Sequence, residues 1–185
     1  MKKLTLLFLL LTLISTTFYG QRYITKTAHV FFYSEAPLET IEAHNKQVNT
    51  ALDTQNGNFV FKVLMKSFIF EKALMQEHFN ENYVESDKFP NATFKGKITN
   101  MDEIDFSKPG KYPAQVEGTL TIHGKSNPVK ASGKFEVGEG SIHSTSKFKI
   151  KIADYDISIP GAVTGKISEE IEITVDANMK EYKSK

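Results

Sequence analysis

From Tyr112 to Ile122 the chain alternates without a break. Tyr112, Ala114, Val116, Gly118, Leu120 and Ile122 fall on one face, and Gln115, Glu117, Thr119 and Thr121 on the other. Successive side chains of a strand point to opposite sides, so this spacing is that of a strand with one buried face. The same pattern returns at Phe59, Phe61, Val63 and Met65, at Phe94, Gly96 and Ile98, and at Val129, Ala131, Gly133 and Phe135. It returns again at Ile167, Ile171, Ile173, Val175 and Ala177. Turn signals separate the segments: Asn56-Gly57, Lys108-Pro109-Gly110, Ser126-Asn127-Pro128 and Gly138-Glu139-Gly140. Short strands spaced in this way predict an all-β chain whose antiparallel sheet closes into a barrel or folds as a sandwich.

Two segments do not alternate cleanly. Between Leu38 and Asp53, Leu38, Ile41 and Val48 fit a helical period loosely, while Thr40, Ile41, Val48 and Thr50 also suit a strand, and the pattern leaves both open. From Glu71 to Tyr83 the reading is a helix. Lys72 to Glu77 are all strong helix formers, and Leu74, Met75, His78, Phe79 and Tyr83 share one broad face, so this helix should lie on the barrel as a cover. Pro90 prevents its continuation.

The first 20 residues read as an export signal: a basic Lys2-Lys3 start, an apolar run from Leu4 to Ile14, then Ser15, Thr16 and Thr17, with cleavage expected before Gln21. The run falls short of the roughly 18 residues needed to cross a bilayer. The remaining 165 residues, 21–185, suit one domain with a sizeable core. Their 21 basic residues face 22 acidic ones, a balance that argues against a nucleic-acid surface. Without cysteine there is no disulfide, thiolate metal site or cysteine nucleophile. These features point to a periplasmic or secreted protein with no integral membrane segment in its mature form.

The chain offers little that would carry catalysis. His29, His44, His78, His123 and His143 lack partners at metal spacing. "GAVTGKIS", from Gly161, has three residues between its glycines where a phosphate loop has four, and Ile167 where that loop has a hydroxyl. Asp102, Glu103 and Asp105 sit in an expected hairpin loop and read as a solvated turn. No nucleophile elbow or dinucleotide fingerprint is present. The expectation is a protein that is not an enzyme and needs no cofactor or metal.

Several words of the sequence resemble the YceI-like family in its exported form. They are "ESDKFPNATFKGKI" (Glu85 to Ile98), "GTLTIHGKSNPV" (Gly118 to Val129), and "FKIKIADYDISIP" with "ISEEIEITVDANM" (Phe148 to Met179). The likeness begins at "ITKTAHVFFYSEAPLETIEAHNKQV" (Ile24 to Val48) and keeps its order throughout. It implies an extended, lipocalin-like antiparallel barrel of about eight strands, with a short helix closing it and Leu38 to Asp53 as strand in the first hairpin. It also implies a periplasmic carrier or sequesterer of a long isoprenoid chain, such as a polyprenyl lipid or quinone precursor. The chain departs from the family at Ile152-Ala153-Asp154-Tyr155-Asp156, where many relatives have Arg-Ser-Asp-Phe-Gly, so a head-group contact through that arginine is in doubt.

On this reading the lining of the lipid tunnel is Phe59, Phe61, Val63, Met65, Phe94, Ile98, Val116, Leu120, Phe135, Phe148, Ile171 and Ile173. The alternatives are a structural or interaction protein with a filled barrel and a stress-response protein with another amphiphilic ligand. A homodimer stays open.

Overall fold

The computed structural model describes residues 21–183, so the expected export signal lies outside the described residues. The strands are β1 (Arg22–Glu35), β2 (Thr40–Asp53), β3 (Asn58–Leu64) and the two-residue β4 (Ile69–Phe70), followed by helix α1 (Ala73–His78). Then come β5 (Asn91–Ile98), β6 (Gly110–Ile122), β7 (Lys125–Gly138), β8 (Ser141–Lys151) and β9 (Glu170–Glu181). Neighbours pair antiparallel in the order β1-β9-β8-β7-β6-β5-β3-β2, and β2 pairs back onto β1. The ring is therefore an eight-stranded closed barrel, and among the described residues its strands have free edges only where a ladder stops short. β4 adds only Ala43↔Phe70 and His44↔Ile69 to the side of β2.

The segment that fits two periods is strand β2, and its ambiguity has a structural cause. The β1–β2 register slips around Ala28, from Thr25↔Thr50 through Ala28↔Val48 to Val30↔Asn45. A bulge of this kind exchanges the residues that face in and out. Ala43 and Asn45 are buried below it, and Val48, Thr50 and Leu52 above it. Asn45 is buried at the slip with its amide satisfied: Nδ2 donates to the Leu64 carbonyl at 2.8 Å, and Oδ1 accepts the Gln47 N–H at 2.9 Å.

The expected helix begins two residues late, at Ala73, and from Phe79 to Tyr83 it widens into a π turn. One turn signal is corrected. Ser126, Asn127 and Pro128 lie inside β7, and the β6–β7 hairpin turns instead at His123 and Gly124, both at positive φ (49° and 75°). Pro128 is tolerated because this stretch of β7 has no ladder on its β8 side, the kind of edge to which proline is confined.

The barrel is filled at one end only. Around the termini of the ring, Tyr23, Leu52, Ile98, Ile142 and Met179 are buried and pack as a solid core. Towards the β1–β2 hairpin the interior opens, and α1 with its π turn lies across that mouth.

Candidate functional site: an apolar cavity under the helix

The open half of the barrel encloses a cavity of about 480 Å³, within the range of small-molecule sites. Its wall is hydrocarbon and aromatic. Phe59 stacks at a tilt on Phe61 (4.7 Å between centroids) and on Phe135 (5.7 Å), and Phe61 meets Phe94 edge-on. Phe94 has room because two glycines face each other across β5 and β6 (Gly96↔Gly118). A Cβ on Gly96 would stand 2.4 Å from the Phe94 ring, and one on Gly118 would stand 2.5 Å from the Gly96 Cα. The glycines therefore allow close approach of two backbones and a ring.

Of the twelve residues expected to line the tunnel, Phe59, Phe61, Val63, Met65, Phe94, Val116, Leu120, Phe135, Phe148, Ile171 and Ile173 are on the cavity wall. Ile98 is not: it is buried in the solid end, where its N–H donates to the Gly57 carbonyl at 3.0 Å. Sequence reasoning missed Phe32, Phe68 and Phe70, which form a second aromatic group with Phe79 of the helical cover, with rings 5.0–5.8 Å apart. The apolar face of the helix was a usable signal for Phe79, since Leu74, Met75, His78, Phe79 and Tyr83 all border the cavity.

The mouth is held by polar contacts at its rim. Lys72 Nζ lies 2.7 Å from Glu39 Oε1, joining the start of α1 to the β1–β2 hairpin. The Leu38 N–H donates to the Gly165 carbonyl at 2.9 Å, joining that hairpin to the loop before β9. Ser34 is buried on the wall, and its hydroxyl accepts the Ser168 N–H.

Behind the helix a histidine clasps three segments. His123 Nδ1 donates to the Tyr155 carbonyl at 3.1 Å, and Nε2 lies 2.6 Å from Glu85 Oε2. The bond from His123 holds the Glu85 carboxyl below its ordinary range, with Lys88 adding to the effect. Burial, with a smaller push from Asp154, raises the Tyr155 phenol to about 12. Glu85, His123 and Asp156 are all the non-glycine residues at positive φ among those described, and they meet around this clasp. Backbone held in that region costs about 1–3 kcal/mol per residue, so the surrounding contacts must over-determine it.

His29 Nε2 is 3.0 Å from His44 Nδ1 on the outer surface, and burial with His44 lowers the His29 pKa. Among the described residues no group of three His, Cys, Asp or Glu side chains could hold a metal ion. Asp102, Glu103 and Asp105 are exposed, and Asp105 accepts from Ser107.

A family model described as the YceI-like domain matches residues 23–179. No curated protein sequence matches the chain. Several solved structures share the fold at low identity, among them the following three. A polyisoprenoid binding domain from Saccharophagus degradans is 13% identical, with a TM-score of 0.74, covering 89% of this chain and 100% of that one. BcnA from Burkholderia cenocepacia is 18% identical, with a TM-score of 0.67 and coverage of 82% and 95%. The YceI protein of Campylobacter jejuni is 18% identical, with a TM-score of 0.61 and coverage of 77% and 85%.

Proposed function

The chain belongs to the YceI-like domain family, and from that premise we propose that it binds a long apolar isoprenoid chain inside its barrel. It acts as a carrier or sequesterer beyond the inner membrane and performs no catalysis. The observation that carries this reading is the apolar cavity of about 480 Å³ that the barrel leaves unfilled. A long hydrocarbon gains about 25 cal/mol per Å² of surface removed from water, so such a wall needs no specific chemistry to hold it. That a fold relative is a polyisoprenoid binding domain supports the ligand class. The lipocalin-like shape and the export-type N-terminus support the carrier role and the periplasmic or secreted location. A filled barrel that works only as a structural or interaction module is disfavoured by the same cavity.

Retention of a fluorescent polyprenyl probe by detergent-free protein tests the reading. Val63 lines the cavity, and Lys62 beside it on β3 is exposed. Val63→Asp places a carboxylate among rings with no partner, at a cost of several kcal/mol while ionised. Probe retention should then fall sharply. Lys62→Asp should change stability by about 0.5 kcal/mol or less and leave retention as in the parent. Equal retention by folded Val63→Asp and the parent would remove the cavity from the binding account.

A further inference from the structure

One ladder of the barrel wall ends before either of its two strands does. β7 and β8 pair from Gly138↔Ser141 to Gly133↔Ser146 and no further, although β7 starts at Lys125 and β8 continues to Lys151. In that register Ser132 would face Lys147, and Val129 would face Ile150. The flanking ladders do continue: β6–β7 reaches Ile122↔Lys125, and β8–β9 reaches Lys151↔Glu170. The gap is therefore a local parting of two strands, and its facing edges present backbone groups with no ladder partner across it. At its inner end, Gly133 lets β8 come so close that a Cβ would lie 2.4 Å from the Thr145 carbonyl oxygen. At its mouth end, Asn127 Nδ2 donates to the Asp154 carbonyl at 2.6 Å, and buried Tyr155 sits behind the bond.

Val129 on β7 and Ile150 on β8, which would face each other across the gap, both line the apolar cavity and also a second hollow of about 380 Å³ outside the wall. The outer one is polar. Lys130, Lys149 and Lys151 border it, Lys134 borders the inner cavity at the gap, and Lys147 follows on the outer face of β8. Asp154 and Glu170 border it too. The lysines' partners are Glu117 on β6, Glu136 on β7 and Glu170 and Glu172 on β9, in pairs whose ammonium ends are exposed. Such pairs contribute little and exchange readily for a stronger anion. Lys151 has no carboxylate within bridging distance among the described residues. An acceptor-rich, multiply charged group would thus meet ammonium donors on both sides of the gap while its chain lay inside.

We infer that the β7–β8 gap is a side port that holds the head of the bound lipid, and that this head is an anionic group of the phosphate class. The inference rests on the proposed binding of an apolar chain in the cavity.

The test measures binding of geranylgeranyl phosphate, geranylgeraniol and inorganic phosphate to the parent and two variants. One is Lys147→Gln/Lys149→Gln/Lys151→Gln. The other is Lys95→Gln/Lys97→Gln, on the exposed face of β5 away from the gap. The triple variant should bind the phosphate lipid about tenfold or more weakly, since charge-assisted bonds are lost. It should bind the alcohol as the parent does, the β5 variant should change neither, and inorganic phosphate should not bind detectably. Parent-like binding of both lipids by the triple variant, or equal loss of both, would overturn the side port. Lysine-dependent binding of inorganic phosphate as tight as that of the lipid would overturn the lipid-head assignment alone. A parent that binds neither lipid would overturn this inference together with the proposed function.

Discussion

At the scale of single residues, alternation tells which face of the sheet a side chain occupies but not its height in the barrel. Val63 and Ile98 both point inward. Val63 reaches the cavity, while Ile98, nearer the solid end, packs against other side chains. Glycines mark the wall where a ring or a second backbone comes close, as Gly96 and Gly118 do around Phe94. Buried polar residues left no trace in the pattern, because Asn45 and Ser34 look like surface residues until their partners are in place. The clasp at Glu85 gives a pH dependence. Its folded carboxyl is depressed by His123, so the stability it adds is present above the ordinary glutamate value of about 4.5 and is lost as pH falls below it. Melting of the parent should therefore drop through that acid range, and Glu85→Gln should flatten this limb. An unchanged acid limb in a folded Glu85→Gln variant would show that the clasp does not couple to folding.

At the scale of elements, the strands with strict alternation and the one helix were readable, because each carries a single period over its length. β2 was not, because its bulge changes the inward parity halfway along. The β6–β7 turn was also misplaced. Asn127 and Pro128 are turn residues by composition, yet the chain turns at His123 and Gly124, where His123 is held at positive φ by the clasp. The β5–β6 pair owes its closeness to Gly118. Gly118→Val would drive a side chain into the Gly96 Cα and the Lys95 carbonyl, both 2.5 Å from the new Cβ, and should cost about 2–3 kcal/mol or more. Gly161→Ala, with nothing within 4 Å of the new Cβ, should change the melting temperature little. Similar thermal melts for the two variants would contradict the close approach.

At the scale of the whole molecule, repeated strands predicted an all-β barrel or sandwich, and the sheet closes as an eight-stranded barrel. What sequence could not supply was the division of its interior. A solid end and an open end use the same inward residues, and only the closing of the ring through β1–β2 and the placement of the helix across the mouth decide which part stays unfilled. On the function proposed above, the unfilled part holds an isoprenoid chain. Native mass spectrometry of protein purified without detergent, followed by organic extraction, tests it most directly. A bound mass that leaves on extraction and proves to be a polyprenyl compound is the expected result. Protein that runs at its bare mass, and stays at that mass after incubation with a polyprenyl lipid, would contradict it.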